Sequence, residues 1–237
     1  MKYILLCALL LVTFGYGVYQ WRTIQRSIGI SSRLMNEARA FERHPEIPRS
    51  HILVAGDSTA VGVGSSSEFS IAGRIGKDSP DADITNIGIN GQRLQGLIES
   101  LETQKGKYFE LVVLQIGAND VTGRTSYSDI EGRLAQVLTD ARLLAPKVIV
   151  MTSGDVGLAP VFKWPVSAYL SARSRAVRDI FIEETKKHGG ATYVDLYKEK
   201  KDDVFLTDIP RYYAPDHFHP SGDGYGVWYS QFPKLTI

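Results

Sequence analysis

Apolar residues fall along this chain in three different rhythms. From Tyr3 to Trp21 no charged residue interrupts the sequence, and Ile4 through Val12 is continuously apolar. Nineteen helical residues rise roughly 28 Å, close to the hydrocarbon thickness of a bilayer, which predicts a membrane-crossing helix within residues 1–21. Residues 22–49 are polar with scattered apolar positions and end in His44-Pro45-Glu46-Ile47-Pro48. Two prolines so close together predict a short helical stalk that gives way to a linker. From residue 50 to 237 the pattern alternates. Short runs rich in β-branched residues stand at Ile52–Ala55, Ile84–Asn86, Leu111–Ile116, Val148–Met151 and Thr192–Val194, and several are apolar at consecutive positions, as expected of strands buried on both faces.

Between these runs lie helical stripes. Ile130, Leu134, Val137, Leu138 and Ala141 share one helical face, with a Ser128-x-x-Glu131 capping box before them and Pro146 after. Tyr169, Ala172, Ala176, Val177, Ile180 and Phe181 form a second stripe, closed by Gly189-Gly190. Alternating strand and helix predicts an α/β sandwich around a mostly parallel sheet of about five strands.

Composition narrows the class. With 43% hydrophobic and 22% charged residues the 237-residue chain is neither disordered nor low-complexity. Its 27 basic and 26 acidic residues net to +1, which excludes a general nucleic-acid coat. That balance hides an asymmetry: six basic and two acidic residues through residue 45 give a +4 head, and the remainder nets −3. The single cysteine, Cys7, excludes an intrachain disulfide and a cysteine metal cluster.

The head admits two readings. Tyr16, Tyr19 and Trp21 suit a membrane interface, and Arg22 and Arg26 follow directly, as expected of a retained single-pass anchor. Gly15-Tyr16-Gly17 is a weak signal-peptidase pattern, the mark of an exported chain. The anchor fits better. Counting Lys and Arg holds the downstream side in the cytoplasm by a small margin, which leaves the side faced by the domain open.

In an open α/β sheet, sites form where loops leave the carboxyl ends of the strands. Three such loops are unusual: Gly56-Asp57-Ser58-Thr59, Asn86-Ile87-Gly88-Ile89-Asn90-Gly91 and Gly117-Ala118-Asn119-Asp120. Ser58 alone reads as a helix cap. The glycines around it lack the lysine of a phosphate loop and the third glycine of a dinucleotide fingerprint, and Ala60 replaces the last glycine of a Gly-x-Ser-x-Gly elbow. Asn119 alone reads as a turn residue, although its amide suits an oxyanion, as does the unhindered N–H of Gly91. Asp216-His217-Phe218-His219-Pro220 supplies too few ligands for a metal site. His217 could serve as a ligand or an alternative base but reads better as a solvent-facing loop residue, and an aspartate three residues before His219 can hold its tautomer in place.

Gly56-Asp57-Ser58, Gly91, Gly117-x-Asn119-Asp120 and Asp216-x-x-His219-Pro220, in this order, resemble the four blocks of the SGNH hydrolase (GDSL esterase/lipase) family. The resemblance runs from about Ile52 to Tyr225. It implies a flavodoxin-like three-layer fold and cofactor-free hydrolysis of acyl esters or thioesters. By position, Ser58 would be the nucleophile, His219 the base and Asp216 its orienting partner. The N–H groups of Ser58 and Gly91, with the Asn119 side chain, would form the oxyanion hole. Thr59 departs from the family's leucine, at a position outside the chemistry. Gly91 rather than Gly88 ends the family's Asn-x-x-x-x-Gly pattern from Asn86. The implied substrate is a small-molecule, lipid or glycan acyl ester. An acyltransferase or carbohydrate deacetylase with the same triad is the alternative, and Phe162-Lys163-Trp164-Pro165 is a candidate lining for its acceptor groove or a cap on an acyl pocket. A membrane-tethered binding module without catalysis is disfavoured, because every proposed catalytic position is intact.

Overall fold

The computed structural model describes residues 2–235. Met1 and residues 236–237, the outer ends of the predicted segments 1–21 and 50–237, lie outside the described residues. The five predicted runs are strands: β1 (Ser50–Gly56), β2 (Ala82–Asn86), β3 (Leu111–Gln115), β4 (Val148–Met151) and β5 (Ala191–Val194). They form one sheet in the order β2-β1-β3-β4-β5, every pair parallel.

Side-chain alternation divides each strand between two cores. Leu53, Ala55, Val112, Leu114, Val148 and Val150 pack beneath α4 (Leu94–Glu102), α6 (Tyr127–Leu144) and α7 (Val166–Lys187). Ile52, Val54, Ile84, Val113, Ile149 and Met151 face the opposite layer, where α3 (Ile71–Asp78) and α9 (Gly222–Tyr229) contribute Ile71, Ile75, Tyr225 and Trp228. Three short helices complete the domain: α2 (Ser58–Val61), α5 (Ala118–Thr122) and α8 (Ile209–Tyr212). The fold is the three-layer α/β arrangement expected, with its strand order reversing between β1 and β3.

Two helix details differ from the sequence reading. The cap of α6 is Ser126, whose side chain accepts from the Asp129 N–H, so the helix begins one residue before Ser128. Ser128 instead lies in the first turn. On α7 the buried face is Leu170, Arg173, Ser174, Val177, Phe181, Glu184 and Thr185. Tyr169 is exposed. The stripe is displaced because Arg173 is buried for its hydrogen bonds: it donates to the carbonyls of Val121 (3.2 Å), Asp120 (3.4 Å) and Thr125 (2.7 Å).

Helix α1 runs unbroken from Lys2 to Glu37, about 54 Å of rise, across the boundary drawn at residue 21. No proline stands before residue 45 to stop it. Its first half is exposed, and it contains a stretch long and apolar enough to cross a membrane. Its second half lies on the domain, with Ile24 packed against the core and Gln20 buried. After the helix, Arg43 pairs with Ile84 in an antiparallel bridge along the free edge of β2, covering part of an otherwise unpaired strand edge.

The last helix braces the first loop. Tyr225, fully buried, donates from its hydroxyl to the Val63 carbonyl (2.9 Å), tying α9 to the segment just after α2. Tyr225→Phe leaves that carbonyl without its partner. The variant should lose about 1–2 kcal/mol of stability, read as a lower urea midpoint in detergent micelles.

Candidate active site

Strand register places three loops side by side. Gly56 at the end of β1 pairs with Gln115 at the end of β3, and Val54 pairs with Asn86 at the end of β2. Gly56 has φ +146°, and a Cβ there would sit 1.9 Å from the Gln115 carbonyl oxygen. A side chain at this position is therefore excluded, and the chain turns directly into α2. Asp57 caps that helix: Oδ1 accepts from the Thr59 N–H (2.9 Å) and the Thr59 hydroxyl (2.8 Å). Ser58 becomes the first helical residue, its backbone N–H directed out of the helix start.

Asn86 stitches the second loop to α2. Its Nδ2 donates to the Ala60 carbonyl (2.9 Å), and its Oδ1 accepts from the Gly88 N–H (3.0 Å). Gly88 is thereby engaged. Gly91, at φ +76°, is exposed, and among the described residues no acceptor pairs with its N–H. Asn119 joins all three loops: its Nδ2 donates to the Gln92 carbonyl (3.1 Å) and at 3.4 Å to Asp57 Oδ2. The second bond is long and weak, leaving one amide hydrogen easily diverted. Asp120 is structural, accepting from the Leu94 N–H (3.1 Å) and the Thr125 hydroxyl (2.9 Å).

The fourth loop folds back over these. Asp216 Oδ1 accepts from the backbone N–H groups of Phe218 and His219, both at 3.0 Å, and His217 between them takes a left-handed φ of 57°. This tight turn carries the His217 side chain to solvent and the His219 side chain inward. His219 Nδ1 lies 2.6 Å from Asp216 Oδ2, and its Nε2 lies 2.9 Å from Ser58 Oγ. The loop is held against the first by Gly64, at φ +96°, where a Cβ would meet the Pro220 carbonyl oxygen at 2.3 Å. Ser58, His219 and Asp216 are all buried.

A pocket of about 190 Å³ opens beside Ser58, Asn119 and His219. Its walls are largely apolar and aromatic, including Val156, Leu196, Phe205, Phe218 and Trp228. Thr59 lines it too, so the residue set aside as outside the chemistry both faces the pocket and bonds Asp57. Phe162-Lys163-Trp164-Pro165 does not line it. That loop meets α1 instead: the Trp164 carbonyl accepts from Gln20 Nε2 (2.7 Å) and the Tyr16 hydroxyl (2.8 Å). Aromatic lining comes from the C-terminal third, where the sequence carries no periodic signal. Two serines of α1 also reach the site, Ser27 to the Asp216 carbonyl (2.6 Å) and Ser31 to Asp216 Oδ2 (2.7 Å). Their spacing with Gln20 and Ile24 on one helical face was the available sign.

The two buried carboxylates have opposite electrostatics. Burial pushes Asp57 up to about 6, against the bonds from Thr59 and the charge of His219. For Asp216 burial also acts upward, but the His219 bond and charge, the Ser31 hydroxyl and the Phe218 N–H together hold it below the usual carboxylate value.

A hydroxyl, an imidazole and a carboxylate linked in series, beside an apolar pocket on a parallel α/β sheet, have the connectivity that nucleophilic acyl-transfer chemistry requires. The chain belongs to the GDSL-like lipase/acylhydrolase family, whose model matches residues 54–227. It is similar to the GDSL-like esterase Rv1075c of Mycobacterium tuberculosis, at 24% identity over 188 residues. That match covers 75% of this chain and 58% of the relative's length, so the chain spans less than two thirds of the curated relative. The fold is shared with a lipolytic G-D-S-L family protein from Veillonella parvula, with TM-score 0.60, 17% identity, and coverage of 78% of this chain and 99% of that one. It is shared also with the salicylyl-acyltransferase SsfX3 of a tetracycline biosynthetic pathway, with TM-score 0.58, 14% identity, and coverage of 80% and 54%.

Asp57 gives the fold an unusual pH dependence. Its folded value near 6 against an ordinary 3.8 means the folded chain holds the proton more tightly between those limits. Asp57 thus destabilises the fold most above pH 6, and the deficit disappears as pH falls toward 4. Relative to Asp57→Asn, the natural chain should gain about 2 kcal/mol between pH 7 and pH 4, measured by urea unfolding of both in micelles. A difference that stays flat across this range contradicts the raised value.

Proposed function

We propose that this protein is a membrane-tethered serine esterase that cleaves acyl esters through an acyl-enzyme intermediate. The observation that carries the reading is the continuous line from Ser58 Oγ to His219 Nε2 (2.9 Å) and from His219 Nδ1 to Asp216 Oδ2 (2.6 Å), with Ser58 and His219 lining an apolar pocket. His219 takes the Ser58 proton as the oxygen attacks the ester carbonyl. The carbonyl electron pair moves onto its oxygen, where the N–H groups of Ser58 and Gly91 and the Asn119 amide donate to it. Collapse of this intermediate expels the alcohol, which leaves with the proton from His219. Water then repeats the sequence on the acyl-enzyme and frees the acid. Asp216 keeps the proton on Nδ1, so that Nε2 faces Ser58 as an acceptor. The apolar walls favour an acyl group of hydrocarbon character, and the exposed apolar half of α1 supports attachment to a membrane. No cofactor enters the scheme.

Transfer of the acyl group to a sugar or another alcohol uses the same first half-reaction. Product analysis with and without a glycan acceptor separates transfer from hydrolysis. A fluorophosphonate probe should label the folded chain and fail to label Ser58→Ala; equal labelling of the two removes Ser58 as nucleophile. Asn119→Ala should lower kcat on the order of a hundredfold or more with the fold intact, as expected for one lost oxyanion donor. Full activity in that variant excludes Asn119 from the hole.

A further inference from the structure

Helical serines and threonines ordinarily bond back to the carbonyl one turn earlier. On α1, Thr13, Thr23 and Ser32 do so, donating to Leu9, Tyr19 and Ile28 respectively. Ser27 and Ser31 do not. Both direct their hydroxyls out of the helix to one residue, Asp216: Ser27 to its backbone carbonyl and Ser31 to its carboxylate. Ser31 shares Oδ2 with His219 Nδ1, while the two backbone N–H groups of the 216–219 turn occupy Oδ1. Three of the four donors to this buried anion come from its own turn. The fourth arrives from a helix 185 positions away in sequence.

We infer that Ser31 is a positioning residue for the catalytic relay: its hydroxyl fixes the Asp216 carboxylate and shares its charge, so that α1 is a working part of the active site as well as a tether. This rests on the esterase reading above. Gln20 bonding to the Trp164 carbonyl, and the Asn90 side chain donating to the Met35 carbonyl (3.2 Å), hold the helix on either side of the two serines. The hydroxyl is thus delivered by a helix clamped at both ends of the contact.

The charge on Asp216 has two claimants, and removing one strengthens the other. Without the Ser31 donor, more of the carboxylate's charge acts on Nδ1–H, which favours the imidazolium. Asp57 on the β1–α2 turn and the Tyr225 hydroxyl on α9 also interact electrostatically with the pair. Asn119, on α5, is neutral. The substitution touches none of them, so a changed titration reports the Ser31 bond.

The test compares full-length Ser31→Ala, Ser31→Thr, Ser27→Ala and Ser32→Ala in detergent micelles with a p-nitrophenyl ester. Ser31→Ala should lower kcat roughly 3- to 30-fold with KM unchanged, and should displace the acid limb of the kcat/KM profile upward on the order of 0.5 pH unit. Ser31→Thr keeps a hydroxyl and should recover most of the rate. Ser27→Ala weakens docking without touching the carboxylate and should leave the acid limb in place, as should Ser32→Ala. A Ser31→Ala enzyme with natural kcat and profile overturns the inference. So does a rate loss without displacement, or one matched by Ser27→Ala. Where Ser58-dependent turnover is absent altogether, it is the esterase reading that fails. Titration of His219 in ¹⁵N-histidine-labelled chain then still decides the inference: an upward displacement in Ser31→Ala supports it, and an unchanged curve overturns it.

Discussion

The site depends on keeping one carboxylate charged away from water. Asp216 is buried, and an isolated buried anion takes up a proton unless donors replace its hydration. Four do: two backbone N–H groups, an imidazole nitrogen and a serine hydroxyl. Each donor implies a further piece of architecture. The backbone pair needs the 216–219 turn, with left-handed His217 at its centre. The imidazole needs that turn pressed against the β1–α2 loop, which requires glycine at 64 and the Tyr225 strut. The hydroxyl needs α1 lying on the domain.

The sheet supplies what these loops are fastened to. Parallel strands put all their carboxyl ends on one edge, and the reversal of order between β1 and β3 opens a gap there. Ser58, Gly91 and Asn119 leave that edge on three separate loops, which side-chain bonds link. Asn86 and Asn119 provide the ties, each bonding the backbone of a neighbouring loop. In the proposed mechanism Asn119 would turn to the oxyanion by releasing its weaker bond to Asp57.

The central strands β1, β3 and β4 were readable because burial on both faces leaves consecutive apolar residues, and the edge strands β2 and β5 through their β-branched residues and their place in the alternation. The loop blocks were readable through their order along the chain and their resemblance to a family. What escaped was polar and long-range. Arg173 on α7 is buried for three carbonyl acceptors in other elements, which no helical periodicity announces. Ser31 looks like any exposed helical serine until the chain folds back by 185 positions. The pocket walls at Phe205, Phe218 and Trp228 come from a stretch of short helices and turns, where apolar spacing follows no period.

Two aspartates flank His219, and their surroundings separate them. Asp216, despite its burial, is held below its ordinary value by its imidazole partner, the Ser31 hydroxyl and the Phe218 N–H. Burial pushes Asp57 up to about 6, and the two bonds from Thr59, both on Oδ1, offset only part of that rise. In the proposed mechanism the carboxylate that stabilises a transient imidazolium has to be ionised before the proton moves, and of the two environments that of Asp216 suits the task. Asp57 is left with the geometric one. It caps α2 and thereby aims Ser58. The Thr59 hydroxyl adds to that cap a second bond, one that the leucine of the family pattern has no oxygen to make. The departure at residue 59 therefore strengthens the turn that presents Ser58, while the ionised partner of His219 is held from the far side by a helix that also carries the membrane-length apolar segment.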